Sequence, residues 1–318
     1  MKILVTPTSI RKAQNSDLIA RLESICDEIV YNPHTRPLRA DELPDLLTGC
    51  EGYVAGLDFV TAEVIRACPG LKVISRYGTG LDRVDLAAAK DAGILVTNTP
   101  GANSTAVAEL AMGLILSLAR RIPSLDRSTR SGGWVHSNGL EISGGTLGIV
   151  GLGAIGKKLA TMAHGFGMTV LAYDPYGDPE YATRHDLALV QFDKLLAESD
   201  VISLHLPLTD STRHMIGAEQ FHLMKDSVLL VNTSRGGLID ETAAIAAIRA
   251  GAVGGIGLDA FEEEPPAAHH ELFAFDNVVV TPHTGAHTTE ATRRMAEMAI
   301  DNLIDGLTSG SPSSLSSV

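Results

Sequence analysis

The sequence predicts an α/β fold built from two doubly wound parallel sheets. Three observations carry that reading. Short apolar runs alternate with amphipathic helical patterns along most of the chain, a glycine-rich turn joins one such run to a helix near the middle, and 318 residues suffice for two domains at about 150 residues each. In the first part, strands are expected at 3–5, 29–31, 52–55, 73–76 and 94–97, with amphipathic segments at 17–25, 61–67 and 85–92. Pro100-Gly101 then breaks the chain ahead of a long helical pattern over 104–119, which Ser104 can cap. A second series follows, with strands at 147–150, 169–173, 201–204, 228–232, 255–258 and 278–281 and helices such as 154–164 and 242–250. Six strands over about 135 residues match two mononucleotide-binding halves.

This pattern divides the chain into a first domain over 1–98, a second over 99–285, and a C-terminal helical stretch, 286–308, that completes the first. The helical period there runs through 290–307, with Met295, Met298, Ala299, Leu303 and Ile304 on one face. The serine-rich tail 309–318 is expected to be disordered.

Composition narrows the function. Hydrophobic residues make up 45% and charged residues 20%, an ordinary globular balance. Lys plus Arg number 25 against 38 Asp plus Glu, a net charge of −13. Such a chain repels phosphate backbones and anionic lipid, so nucleic-acid and membrane partners are not expected, and any anionic substrate needs positive charge supplied locally. Cys26, Cys50 and Cys68 form no CxxC pair and suit a reducing compartment. The apolar start Met1–Val5 is too short for a signal peptide, and the longest apolar stretch, 109–118, is too short to span a bilayer. A soluble, cytoplasmic protein is expected, with no room after Leu307 for an added regulatory domain.

The most specific local motif is Gly151-Leu152-Gly153-Ala154-Ile155-Gly156, between an expected strand and an expected helix. Gly151 permits the tight turn, Gly153 lets a pyrophosphate approach the backbone, and Gly156 lets the helix lie close to the strand. The helix N-terminus, from Ala154 and Ile155 onward, offers amides and positive dipole to the phosphates. Asp174 ends the next strand, about 20 residues on, where a carboxylate grips the adenosine ribose and repels a 2′-phosphate. No Arg or Lys follows in Pro175–Asp178. The cofactor is expected to be NAD, bound by a Rossmann domain, and both domains are expected to be doubly wound sheets of the Rossmann/flavodoxin-like kind.

Three polar segments follow directly on later strands, where an open α/β sheet binds its ligands. They are Asn232-Thr233-Ser234-Arg235-Gly236-Gly237, Asp259 through Pro265 with Glu262, Glu263 and Glu264, and Thr281-Pro282-His283-Thr284-Gly285. Each brings a different tool: a fixed cation, a carboxylate and an imidazole. Taken singly, Arg235 reads as a surface charge, His283 as structural and Glu264 as part of a solvated acidic turn. Together, after three consecutive strands, they read as a site. His283 and His287 have no third partner for a metal, and Gly285 and Pro282 oppose a helix there, so no metal is expected.

Gly151–Gly156, Asp174, Leu206-Pro207-Leu208-Thr209, Asn232–Asp240, Asp259–Pro265 and Pro282-His283 together resemble the D-isomer-specific 2-hydroxyacid dehydrogenase family over nearly the whole chain. Arg76-Tyr77-Gly78-Thr79-Gly80 and Asn98-Thr99-Pro100-Gly101 are most similar to its phosphoglycerate dehydrogenase-like branch. The resemblance implies Arg235 as the substrate-binding arginine, Glu264 as the acid partner and His283 as the acid/base, in a cleft between the two domains. It implies that Tyr77, Gly78 and Thr79 bind the substrate carboxylate, that His205, Pro207 and Thr233 line the nicotinamide side, that Asp259 lies near the carboxamide, and that Thr105 touches the pyrophosphate.

The chemistry suits those types. Reducing a 2-keto acid needs a hydride at carbon and a proton at oxygen. NADH carries the first, and a histidine beside a carboxylate can carry the second near neutral pH. Arginine's planar fork can hold a keto oxygen and a carboxylate oxygen together and offset the charge that grows on oxygen. The stretch Ala55-Gly56-Leu57-Asp58-Phe59 holds no cation and one acid, which favours a small 2-hydroxy or 2-keto acid: glyoxylate, hydroxypyruvate or a lactate-like acid. A phosphate or sulfonate would need charge from Arg76, Arg130 or a partner subunit. The alternatives are a D-3-phosphoglycerate dehydrogenase proper and an NAD(H)-sensing, corepressor-like protein. A homodimer through the cofactor domains is expected, because the helix over 104–119 is apolar around much of its circumference (Ala106, Leu110, Met112, Ile115). Trp134 is read as a packing residue and His269-His270 as surface.

Overall fold

The structure, a computed structural model, describes residues 1–11, 13 and 15–310. The expected tail 309–318 lies outside these from residue 311 on. The chain forms two compact units, one of residues 1–103 with the segment from Ala286 onward, the other Ser104–Gly285.

The first unit holds a parallel sheet of β1 (Lys2–Val5), β2 (Glu28–Tyr31), β3 (Gly52–Ala55), β4 (Val73–Arg76) and β5 (Leu95–Thr97) in the order β2-β1-β3-β4-β5, the flavodoxin-like order. These strands are short apolar runs because both faces are covered. Leu4, Tyr53 and Ile74 point into one core with Val64 and Ile65. Ile3, Val5, Val54 and Val73 point into the other, with Leu18 and Leu22 of the helix Ser16–Glu23 and Met295, Ala299 and Leu303 of the helix Thr289–Thr308. That C-terminal helix is tied in by Ser75 Oγ donating to Ala299 O (2.7 Å) and Asn302 Nδ2 donating to Asn98 O (2.9 Å). The expected boundary after residue 98 is corrected by five residues. Thr99 N donates to Gly78 O, Ala102 is buried in the first unit's core, and Arg294 Nε donates to Ala102 O, so residues 99–103 belong to the first unit.

The second unit holds β6 (Thr146–Val150), β7 (Thr169–Tyr173), β8 (Ala188–Leu189), β9 (Val201–Leu204), β10 (Leu229–Asn232), β11 (Gly255–Leu258) and β12 (Val278–Val280). All pair in parallel, in the order β12-β11-β10-β9-β6-β7-β8. This is the Rossmann order with one further strand. The chain starts at the centre of the sheet and winds outward both ways, so the switch point falls between β6 and β9. Six strands are legible in the sequence. The seventh, β8, is a two-residue edge strand with too few residues to show a period.

The helix Ser104–Ala119 begins and ends where the sequence places it, but its breadth of apolar residues is used within its own unit: Ala106, Met112 and Ile115 are buried and Leu110 half-buried. Its composition therefore gives no separate argument for a partner subunit. Trp134 corrects the packing expectation, being 81% exposed. Among the described residues no helix is long and apolar enough to cross a membrane.

Candidate active site

The glycine-rich turn sits at the C-terminal end of β6, the switch-point strand, and opens the helix Ala154–Gly165. Gly151 has φ +100°, and a Cβ there would meet the His205 carbonyl at 2.7 Å; a Cβ on Gly156 would overlap Gly151 O. At Gly153 nothing lies within 4 Å of that position. Two glycines are thus required by packing within the protein, while the middle one faces open space where a pyrophosphate can sit. Asp174 follows β7 and reaches back: Oδ2 accepts from Leu152 N and Oδ1 from Tyr176 N, both at 2.8 Å. The acid therefore shapes the glycine-rich turn as well as offering itself to a ribose.

His205 and Thr233 stand one residue beyond β9 and β10, two adjacent strands. Thr233 Oγ1 and His205 Nδ1 are buried with no hydrogen-bond partner among the described residues. Such atoms are costly unless a ligand completes them. Burial pushes the His205 imidazole down to about 4, and its Nε2 lies 2.9 Å from Ser203 Oγ, so the ring is neutral at physiological pH. The orphaned atoms, the open face at Gly153 and the acid at Asp174 fit NAD, which these residues would hold. Pro207 is exposed, with its carbonyl accepting from Thr212 Oγ1, and Thr105 lies half-buried in the first turn of its helix.

The catalytic candidates rise from β10, β11 and β12, which pair side by side. Asn232, fully buried at the end of β10, shapes the first loop: its Nδ2 donates to Arg235 O (2.8 Å) and its Oδ1 accepts from Ser234 N (3.0 Å). Arg235 then takes an extended backbone, with Nη1 donating to Ser234 O. A Cβ on Gly236 would overlap the Phe261 carbonyl and the Glu262 amide, so the backbone of the arginine loop rests directly on that of the glutamate loop. On that second loop Glu264 Oε1 accepts from Phe261 N (3.2 Å). His283 Nδ1 lies 2.8 Å and 2.9 Å from the two Glu264 carboxylate oxygens, with the side chains 25% and 17% exposed. The pair is thus shielded yet reachable. Nδ1 faces the carboxylate, which leaves Nε2 to meet a substrate oxygen.

Asp259 stands one residue beyond β11. It is 1% exposed and serves the histidine loop, Oδ1 accepting from Thr281 Oγ1 (2.6 Å) and Thr284 N (2.8 Å) and Oδ2 from Gly285 N (2.8 Å). His283 sits in the left-handed region at φ +50°, which costs about 1–3 kcal/mol for such a residue, and the Asp259 bonds hold the turn that imposes it. Sequence reasoning also reads His270 as surface. It is instead largely covered, its Nε2 3.0 Å from Glu241 Oε2. The sequence holds no periodic signal for such a pair, whose members are 29 residues apart.

In the first unit, the loop after β4 carries Tyr77, Gly78 and Thr79. Gly78 N donates to Thr99 Oγ1 (3.0 Å), and Asn98 Nδ2 holds Thr79 O (2.7 Å). The amides of Thr79 and Gly80 have no partner among the described residues. Tyr77 is 9% exposed, its hydroxyl accepting from Ser9 Oγ (2.9 Å) and donating to Thr292 O (3.3 Å), so its ring is core and only its backbone belongs to the loop. The loop after β3 is also corrected. Asp58 is buried at 2% exposure and turned inward, accepting from Tyr53 OH, Gly56 N, Leu38 N and Thr6 Oγ1. A cation does reach this loop: Arg83 Nη1 donates to Leu57 O (2.8 Å), and its guanidinium lies 4.6 Å from the Phe59 ring centroid. Arg76 is buried against the Ala55 and Tyr77 carbonyls, and Arg130 pairs with Asp126, so neither is an open source of charge.

Two buried polar atoms without a partner among the described residues, just beyond β9 and β10, share the strand ends with an imidazole–carboxylate pair, an arrangement suited to hydride transfer. The class of protein is a dinucleotide-dependent oxidoreductase. Residues 112–285 match the family described as D-isomer specific 2-hydroxyacid dehydrogenase, NAD binding domain. Over 275 residues the chain is 48% identical to hydroxypyruvate reductase of Thermotoga maritima, covering 85% of this chain and 89% of that one. It is 44% identical over 248 residues to D-3-phosphoglycerate dehydrogenase of Archaeoglobus fulgidus, covering 77% of this chain but 47% of that protein, so the chain spans about half that relative's length. Among solved structures, D-lactate dehydrogenase from Aquifex aeolicus complexed with NAD and lactic acid aligns with TM-score 0.85 at 30% identity, over 97% of this chain and 96% of that one. The chain belongs to the D-isomer specific 2-hydroxyacid dehydrogenase family. It is an NAD-dependent oxidoreductase that interconverts a 2-hydroxy acid and its 2-keto acid.

Proposed function

We propose that this enzyme reduces a small 2-keto acid of the glyoxylate or hydroxypyruvate kind, with His283 as acid/base, Glu264 as its partner and Arg235 as the substrate clamp. The observation that carries the reading is the bidentate approach of Glu264 to His283 Nδ1 at 2.8 and 2.9 Å. NADH, when bound, supplies the hydride. Glu264 orients the ring through Nδ1, His283 Nε2 delivers the proton to the C2 oxygen, and in the reverse direction the unprotonated ring removes it. Arg235 holds the substrate carboxylate and offsets the charge on the C2 oxygen. The first unit offers the amides of Thr79 and Gly80 to an anion, while those of Tyr77 and Gly78 hold the loop to Ala55 O and Thr99 Oγ1. Gly151, Gly153, Ala154, Ile155 and Gly156 bind the pyrophosphate with Thr105. Asp174 binds the ribose, and His205, Pro207 and Thr233 line the nicotinamide side.

The name of the Thermotoga maritima relative supports hydroxypyruvate. Phosphoglycerate is the second reading, favoured by the Arg83 guanidinium at the Leu57–Phe59 loop. A panel of glyoxylate, hydroxypyruvate, pyruvate and phosphohydroxypyruvate, each with NADH and NADPH, tests the assignment. The expected result is highest kcat/KM, with NADH, for an acid that carries no charge beyond its carboxylate. Preference for the phosphorylated acid would select the second reading.

A homodimer through the cofactor unit is part of the proposal. Its support is Trp134, Val135, Ile122 and Leu140, exposed apolar residues within 19 positions of one another in that unit. Light scattering showing a monomer would remove it. Location in a reducing, cytoplasmic compartment is proposed from the three free cysteines, of which Cys50 and Cys68 are buried.

A further inference from the structure

We propose that Glu241 and His270 form a second carboxylate–imidazole pair that positions Glu264, the carboxylate partner of His283, by gripping the same short segment from which Glu264 takes its backbone hydrogen bond. The inference rests on reading Glu264 and His283 as the acid/base pair.

The segment is Phe261-Glu262. Its two successive amides go to two different carboxylates: Phe261 N donates to Glu264 Oε1 (3.2 Å), and Glu262 N donates to Glu241 Oε1 (2.9 Å). Glu241 starts the helix Glu241–Arg249, whose first turn Asp240 caps by accepting from Ala243 N, so its backbone is fixed from the β10 side. Its other oxygen, Oε2, lies 3.0 Å from His270 Nε2, with the two side chains only 16% and 18% exposed. His270 has a defined polarity. Nδ1 accepts from Leu272 N (3.3 Å), so Nε2 carries the proton and donates to Glu241. The same ring lies against Phe261 and Phe273, with centroids 5.9 and 5.4 Å away. His270 therefore holds the segment twice, through Glu241 and through the Phe261 side chain.

Position at this segment matters because two catalytic loops meet there. Gly236, next to Arg235, packs its backbone on the Phe261–Glu262 peptide. A rotation of that peptide would shift Glu264 relative to His283 and shift Arg235 with it. The other charged contact of the segment, His214 with Glu262 at 2.7 Å, is more exposed on both sides (43% and 37%) and adds little. Neither Glu241 nor His270 is placed to touch substrate, and both act through Glu264.

The test is Glu241→Ala with full-length enzyme, reading kcat, KM, NADH affinity and the pH profile of keto-acid reduction. A misdirected Glu264 no longer pairs closely with His283 Nδ1. The expected outcome is a roughly tenfold lower kcat, with KM and NADH affinity within about threefold and the alkaline limb of the kcat/KM profile moved to lower pH. Glu241→Gln, which keeps an acceptor for the Glu262 amide, should recover part of the loss. His270→Phe keeps the ring packing and removes both hydrogen bonds; it should move the same limb in the same direction, and it replaces Glu241→Ala as the reading if that variant does not fold. An unmoved limb in a folded variant overturns the proposal, whether kcat is unchanged or reduced. His283→Ala, run alongside, separates the two levels. If it is inactive while Glu241→Ala behaves as wild type, only this inference fails; if His283→Ala keeps full turnover, the acid/base reading itself fails.

Discussion

Gly236 and Phe261 meet backbone to backbone: a β-carbon on the glycine would overlap the phenylalanine carbonyl. This contact joins the loop that carries Arg235 to the loop that carries Glu264, and neither loop can move aside without disturbing one of these proposed site residues. Gly236→Ala is expected to destabilise the fold by more than about 2 kcal/mol, because backbone rather than a flexible side chain must give way. Turnover should fall further than stability alone explains at temperatures well below Tm. Thermal unfolding and kcat on one preparation check this.

Asp259 is the second structural dependency. Its carboxylate takes three donors from the 281–285 turn and is itself buried. Asp259→Asn keeps the shape but turns an amide group toward an N–H or O–H donor. The expected cost is about 1–3 kcal/mol, with lower kcat as the His283 turn relaxes. Chemical denaturation and steady-state rates report the two effects separately.

Asp174 combines a bond seen in the fold with a proposed ribose contact, so its replacement has two consequences. Asp174→Ala removes the proposed ribose acceptor and also releases the Leu152 amide at the glycine-rich turn. NADH affinity is expected to fall about tenfold, the loss of roughly one charged hydrogen bond, while NADPH, no longer repelled, is discriminated against less. Fluorescence titration with both cofactors gives the ratio.

His205 makes stability depend on pH in a stated direction. Its folded value of about 4 lies below the unfolded value near 6.5, so between these the unfolded chain binds the extra proton. Stability from this group is present above pH 6.5 and is lost as pH falls toward 4, by about 2 kcal/mol between pH 6.5 and 4.5. His205→Gln should flatten that part of the pH–stability curve, measured by urea unfolding without cofactor.

Both sheets were legible because parallel strands covered on both faces are largely apolar, which leaves runs such as Gly52–Ala55 and Gly255–Leu258 plain in the sequence. The glycine-rich turn and the loops after β10, β11 and β12 were legible because each glycine, acid or base there meets a local demand. What lies beyond local demand was hidden. Asp259 and Asp58 look like any loop acid, and only the folded chain shows them turned inward onto three and four donors. Arg83 reaches the Leu57–Phe59 loop across 24 to 26 residues, a contact that depends on two adjacent strands ending at one edge. Trp134 carries no sign of its exposure, since a lone tryptophan in a loop suits core and surface equally.

The central claim is that His283, held by Glu264, moves the proton while NADH binding is built elsewhere. The most direct measurement is pre-steady-state NADH oxidation on mixing enzyme–NADH with hydroxypyruvate or glyoxylate, for wild type, His283→Ala and Glu264→Gln. The account predicts NADH affinity within about threefold of wild type in both variants, with the rate lowered about 10²–10⁴-fold for His283→Ala and by less for Glu264→Gln. A wild-type rate in His283→Ala would contradict it.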